Sequence, residues 1–247
     1  MNSVDGLWKN SQDSIRHALE HFSELNRAKG EEITHHRKWA LLSVHHAAEC
    51  FSNMLLLALN PEDPPFSDSY YPSLAKSLAL LETERTVSRL TPGERRLVHL
   101  LKELPKARNQ IMHRFVPGQL EVSAAAMSLL GILRMAGNRL GIRTEDILDQ
   151  SPPIEADVFA AIRYQRIEEY CSFAEAMLQD EYPGQTLEMC PHCQAHSIVH
   201  SHCEICFEEM DHITCANCDE QYAVPSWELQ ISPSPEIECP SCGHKRT

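Results

Sequence analysis

No stretch of this 247-residue chain approaches the roughly eighteen consecutive apolar residues that a bilayer span requires. The longest candidates run from Met54 to Leu59 and from Ala124 to Leu133, and Arg134 closes the second. The first ten residues lack the basic start and apolar centre of a secretory signal. A cytoplasmic protein with no membrane partner is therefore expected. Basic residues are nearly missing from the C-terminal quarter. Residues 185–247 hold 2 Lys+Arg against 10 Asp+Glu, a net −8, whereas residues 1–184 hold 20 against 25. Such a tail repels phosphates, so its surface suits a protein partner better than a nucleic acid. The first 180 residues also lack the apolar–polar alternation of a half-buried strand and any repeat of fixed period, which leaves helices. Disorder is excluded for most of the length, because 43% hydrophobic and 23% charged residues are ordinary values for a packed protein.

Apolar residues recur at helical spacing throughout that N-terminal part. Leu7, Trp8, Ile15, Leu19, Phe22 and Leu25 mark a helix from about residue 3 to 26. Ala40, Val44, Ala47, Ala48, Phe51, Leu55, Ala58 and Leu59 mark a longer one from about 33 to 59. An irregular, proline-rich connection follows Asn60-Pro61, then a short helix from about Pro72 to Glu82. Thr91-Pro92-Gly93-Glu94 is a capping box with proline at the first helical position. The helix it opens meets Pro105, which either kinks it or starts a new one that ends near Phe115 to Gly118. Residues 119–140 and about 154–180 supply two more helices.

Eight of the ten cysteines lie between Cys190 and Cys242, all as Cys-x-x-Cys pairs. The pairs are Cys190/Cys193, Cys203/Cys206, Cys215/Cys218 and Cys239/Cys242, separated by 9, 8 and 20 residues. In a chain without secretory features such pairs read as metal ligands, not as a disulfide framework. A Cys-x-x-Cys turn presents two sulfurs to one ion, so four pairs make two closed four-cysteine sites, with Zn2+ the default. Sequential pairing gives two consecutive zinc ribbons and is favoured over a cross-braced arrangement. Closed sulfur sites keep no position for an activated water, so both ions are structural. The histidines nearby (His192, His196, His200, His202, His212 and His244) are expected outside the ligand sets, and short β-pieces are expected at Ser197–His200 and Gln221–Val224. Cys50 and Cys171 stand alone in helical patterns and read as small core residues.

Against the acidic background one stretch is opposite in sign: from Arg95 to Arg114 there are six Lys/Arg and a single acid, Glu103. If an anion binds anywhere, the charge places it there; the plainer reading is a solvated basic face with one surface histidine. Lys106 and Arg108 fall in the first turn after Pro105, where the helix dipole disfavours cations unless something negative joins them. Asn109 and His113 are four apart and share a face, so the amide can orient the imidazole. His45 and Glu49 are likewise four apart and are expected to pair. His17 and His21 are expected to be solvated.

Arg108-Asn109-x-x-x-His113 on a late helix of an α-helical bundle resembles the Arg-x4–6-His signature of the HEPN superfamily (higher eukaryotes and prokaryotes nucleotide-binding). The helix bearing Ala40, His45, His46, Ala48 and Glu49 is similar to a second helix of that family, and the likeness covers roughly residues 5–180. It implies a mainly α fold, a helical bundle of HEPN type over residues 1–183, here followed by a small β-rich double zinc ribbon over 184–247. It implies a homodimer with the two motif helices facing across a cleft, and metal-independent RNA cleavage through the ribose 2′-hydroxyl. His113 would move protons, Arg108 would stabilise charge on the phosphate, Asn109 would position His113, and Lys102, Lys106 and Arg114 would hold flanking phosphates. Some helical toxins of the family carry a Tyr two residues after the His, and this chain has Phe115. The expected function is an endoribonuclease of toxin or defence type; the alternative is a non-catalytic scaffold whose ribbons recruit a protein.

Overall fold

The structure, a computed structural model, describes residues 4–25, 27–62, 66, 71–114, 119–140, 158–159, 161–162, 164–231 and 237–246. The chain divides into two compact units, Met1–Asp180 and Glu181–Thr247. No helix among the described residues is long and apolar enough to cross a membrane.

The first unit begins with a hairpin of α1 (Val4–Leu25) and α2 (Glu31–Leu59). Leu7, Ile15, Ala18, Leu19 and Phe22 form the buried stripe of α1 and lie on Ala40, Val44, Ala47, Ala48 and Phe51 of α2. The alanines keep the facing surface of α2 low, and α2 serves as the central helix, flanked by α1, α3 (Leu74–Leu81), α6 (Glu103–Arg114) and α7 (Gln119–Leu140). The connection before α3 is held by Asn53, whose amide donates to the Pro72 carbonyl (3.1 Å) and whose carbonyl accepts from the Ser77 hydroxyl (2.9 Å). A short α4 (Glu84–Val87) leads to α5 (Pro92–Leu101).

Thr91 and Glu94 form the reciprocal capping box that the sequence predicts: the Thr91 side chain accepts from the Glu94 N–H (3.2 Å), and Glu94 accepts from the Thr91 N–H (2.8 Å). The structure adds a partner that the local sequence does not reveal. Arg139, near the end of α7, donates to both oxygens of Glu94, Nε to Oε1 at 2.7 Å and Nη2 to Oε2 at 2.6 Å. Glu94 is only 5% exposed, so its charge depends on that fork. Arg139→Met is expected to destabilise the helical unit by about 3 kcal/mol or more in urea unfolding, because it leaves a buried carboxylate uncompensated.

Pro105 starts a new helix. α5 ends at Leu101 with Lys102 as its cap, and α6 begins at Glu103, so the missing N–H of Pro105 falls in a first turn where it has no helical partner to lose. Gly131 of α7 lets Leu97 and Phe173 approach closely; a Cβ there would meet their side chains at 2.6 and 2.9 Å. The last helix of this unit, α8 (Tyr164–Glu181), is shorter than predicted. Backbone bonds from Ala161 to Val158 and from Ile162 to Phe159 make a separate turn ahead of it, while residues 141–157 lie outside the described residues. Cys50 and Cys171 are buried, as expected, and burial, with the Glu49 charge next, pushes the Cys50 thiol up to about 11.

The described residues of the second unit form three small antiparallel sheets. The first has the order β1 (Glu188–Met189), β2 (His196–Val199), β3 (His202–Cys203). The second pairs β4 (Met210–Thr214) with β5 (Gln221–Pro225), from Met210 opposite Pro225 to Thr214 opposite Gln221. A short helix α9 (Ser226–Ile231) follows, and β6 (Ile237–Glu238) pairs with β7 (Lys245–Arg246). Tyr222, Val224 and Ile237, with Ile213 and Leu229 against them, pack around Cys215 and Cys239.

Candidate functional site

The four Cys-x-x-Cys turns have one geometry. In each, the first cysteine N–H donates to the carbonyl five residues on: Cys190 to Ala195, Cys203 to Glu208, Cys215 to Glu220 and Cys239 to His244, at 2.8–2.9 Å. Each first-cysteine carbonyl accepts from the residue after the second cysteine, Gln194, Phe207, Asp219 or Gly243, at 2.8–3.0 Å. All four of those residues sit at positive φ, between 57° and 69°. The turn thereby folds back on itself and frees backbone N–H groups for sulfur; Ile205 and Cys206 both point at Cys203 Sγ at 3.4 Å.

The pairs combine sequentially. Cys190, Cys193, Cys203 and Cys206 form one cluster and Cys215, Cys218, Cys239 and Cys242 the other, with the sulfurs of each cluster within 4.8 Å of one another. Contacts across the clusters measure 3.7 Å for Cys190–Cys206, Cys193–Cys203 and Cys218–Cys239, and 3.6 Å for Cys215–Cys242. Sulfurs about 2.3 Å from a tetrahedral zinc lie about 3.8 Å apart, and a disulfide would need about 2.05 Å. The donor sets fit two structural zinc ions. Electrostatics agree. Cys203 is driven well below the usual thiol range by contacts to Cys190, then Cys193 and Cys206, while Cys190 and Cys206 are driven up by Cys193 and Cys190 respectively. A divalent ion would let all four sulfurs be thiolates. The buried Ser197 hydroxyl lies 3.1 Å from Cys203 Sγ, and the Asn217 amide donates to Cys242 Sγ at 3.6 Å.

None of the tail histidines joins a cluster among the described residues. His196 meets the Leu187 carbonyl, and His212 meets Glu188 at 2.9 Å. Glu188 also accepts from the Ala223 N–H at 2.9 Å, so one carboxylate ties the first ribbon to the second.

In the helical unit, α6 is sharply two-sided. Leu104, Ala107 and Ile111 are buried, and Arg108, Asn109, Met112 and His113 are exposed together on the other side. Arg108, Asn109, His113 and Lys106 have no hydrogen bond or ion pair among the described residues. Lys102 is differently placed, ion-paired with Glu82. The side chain of Arg114 and residue Phe115 lie outside the described residues. In the same basic stretch, Arg95, Arg96 and His99 rim a hollow of about 400 Å3 with Leu100, Met127 and Phe173 lining it; Arg96 is anchored there to the Ser172 carbonyl (2.8 Å).

Two expectations about histidines are corrected. Glu49 does not pair with His45; its Oε2 accepts from the Leu74 N–H (3.0 Å) and caps α3, a partner 25 residues away. His45 instead belongs to the electrostatic surroundings of Arg108. Burial first, then the Arg108 guanidinium, then His46, push its pKa down to about 4. At neutral pH His45 is therefore an uncharged ring beside an exposed guanidinium. The unfolded chain protonates this residue near ~6.5, the folded one only near 4, so unfolding takes up a proton in between. Stability contributed here is complete above about 6.5 and is lost as pH falls toward 4, on the order of 2 kcal/mol after allowance for partial exposure. His45→Asn should flatten the unfolding free energy over that window. His21 is the second correction: it is half-buried against α2, while His17 remains exposed and paired with Glu20 (3.3 Å).

Comparison with protein-family models, with curated proteins and with solved structures finds no match to this chain.

Proposed function

We propose that the helical unit is a metal-independent endoribonuclease of HEPN type that works as a homodimer, with a zinc-stabilised tail. The observation that carries this reading is the exposed face of α6. Arg108 and His113 are exposed there with no hydrogen bond or ion pair among the described residues, in a stretch of six cations and one acid. Folding gains nothing from unpaired cations in a helix's first turns, whereas an anion held between them would compensate the cost. His113 moves a proton from the ribose 2′-hydroxyl or to the leaving 5′-oxygen, and Arg108 stabilises the charge that develops on the phosphate. Asn109, one turn before His113, orients it once substrate is present. Lys106, and Arg114 at the end of α6, hold flanking phosphates; Lys102 has first to leave Glu82. Two copies are needed because one Arg and one His make half a site, and Met112, 54% exposed on this same face, offers the apolar contact that a second copy would cover.

The test is incubation of the zinc-loaded protein with matched RNA and DNA strands, with and without magnesium. Cleavage of RNA alone, independent of magnesium, leaving 2′,3′-cyclic phosphate and 5′-hydroxyl ends, is expected. Inert RNA, or equal cleavage of DNA, turns the reading toward a scaffold whose ribbons recruit a protein. That alternative draws on the acidic tail and on Met189, exposed on β1.

A further inference from the structure

Outside the α6 face and the cysteine clusters, a group of histidines lies where α1 meets the start of α2. The antiparallel packing of the hairpin brings His21 of α1 against His35 and His36 of α2. His21 Nδ1 is 3.0 Å from His36 Nδ1. The ring centroids are 5.2 Å apart for His21–His36, 5.4 Å for His35–His36 and 6.0 Å for His21–His35. His17 lies one helical turn before His21 and affects it electrostatically, as does Glu20.

We propose that His21, His35 and His36, with His17 as a fourth donor, bind a divalent transition-metal ion through nitrogen, at a site distinct from the two cysteine centres. Metal–imidazole bonds of about 2.0–2.1 Å place each ring centroid about 3.2 Å from the ion, so rings sharing one ion lie about 4.5–5.5 Å apart. The three observed separations are within this range or half an ångström beyond it. The His21–His36 nitrogens, at 3.0 Å, would subtend about 95° at the ion, a near-right angle that suits tetragonal or octahedral Ni2+ or Cu2+ better than tetrahedral zinc. Without an ion these two rings meet head-on as a single N–H···N hydrogen bond, so metal binding turns both rings toward a common point and swings the exposed His35 inward. Their positions allow it. His17 and His35 are exposed, and His21 and His36 half-exposed, so no core packing is disturbed. Glu20 adds negative charge beside His17, which favours a cation. Imidazole donors also separate this site chemically from the soft thiolate clusters, which retain zinc.

The experiment is titration of the full zinc-loaded chain with Ni2+, counting metals by native mass spectrometry and following Trp39, whose ring is 6.3 Å from that of His35. One Ni2+ per chain with no zinc released, accompanied by quenching of tryptophan fluorescence, is expected. His21→Ala and His36→Ala should each weaken that binding by about tenfold or more, while His99→Ala leaves it unchanged. Should either variant fail to fold, the unmodified protein still decides the matter: paramagnetic Ni2+ must broaden the imidazole signals of His21, His35 and His36 before those of other histidines. No third metal at millimolar Ni2+, binding unaffected by both substitutions, or broadening centred elsewhere overturns the proposal.

Discussion

His113→Ala should lower the rate of RNA cleavage by about two to four orders of magnitude, the usual contribution of a positioned proton-transfer group. Arg108→Ala should lose about two to three orders, because a charge-stabilising donor acts only on the developing anion. Arg108→Lys should not restore that loss, since a point charge replaces a planar fork. Asn109→Ala should lose less than either, as its part is orientation, and Lys106→Ala should raise KM more than it lowers kcat. The readout is single-turnover cleavage of an end-labelled RNA, with zinc content and oligomeric state checked for each variant. All the exposed members of this face leave the buried stripe of Leu104, Ala107 and Ile111 intact, so loss of rate without loss of fold is the expected pattern. An unaffected His113→Ala enzyme would remove α6 from the chemistry altogether.

The second large effect is metal removal. Structural zinc sites contribute about 10–16 kcal/mol of binding free energy at neutral pH, and the small cluster around Tyr222, Val224 and Ile237 cannot replace that. A strong chelator is expected to strip two zinc ions per chain and to unfold residues 185–247, while the helical circular-dichroism signal of α1 to α8 survives. The two sites should not empty together. Cys190, Cys203 and Cys206 are buried, whereas Cys218 and Cys242 are exposed, so the second ribbon should lose its ion first. Native mass spectrometry during slow chelation would show a one-zinc species; Cys218→Ser should show that species at rest. Simultaneous loss of both ions would mean that the Glu188 tie to His212 and Ala223 makes the ribbons one cooperative unit.

Local chemistry was legible in the sequence, and long-range partners were not. The Cys-x-x-Cys turns could be read because their hydrogen bonds close within five residues, whereas the choice of sequential over cross-braced pairing needed the sulfur positions. The capping box at Thr91 and Glu94 was legible for the same reason, since both partners lie in four residues. Arg139 was not, because its contact with Glu94 spans 45 residues and depends on how α7 lies against α5. The same holds for Glu49 and Leu74. His21, His35 and His36 illustrate the limit most clearly: spacing along one helix placed His17 with His21, but only the antiparallel register of the hairpin brings in the α2 rings. The α6 motif was visible as residue types, and its exposure on a single face required the buried stripe behind it to be located.

Three of the four left-handed positions that close the cysteine turns carry a side chain, Gln194, Phe207 and Asp219, and only Gly243 does not. A residue with a Cβ in that conformation costs about 1 kcal/mol, yet the fold keeps all three. Glycine there would give a more relaxed backbone and a bare surface. In a domain held by metal–sulfur bonds, the binding free energy of the ions, on the order of 10 kcal/mol, outweighs that strain several times over. Each ribbon thus carries side chains at its left-handed positions directly beside its metal-ligating sulfurs.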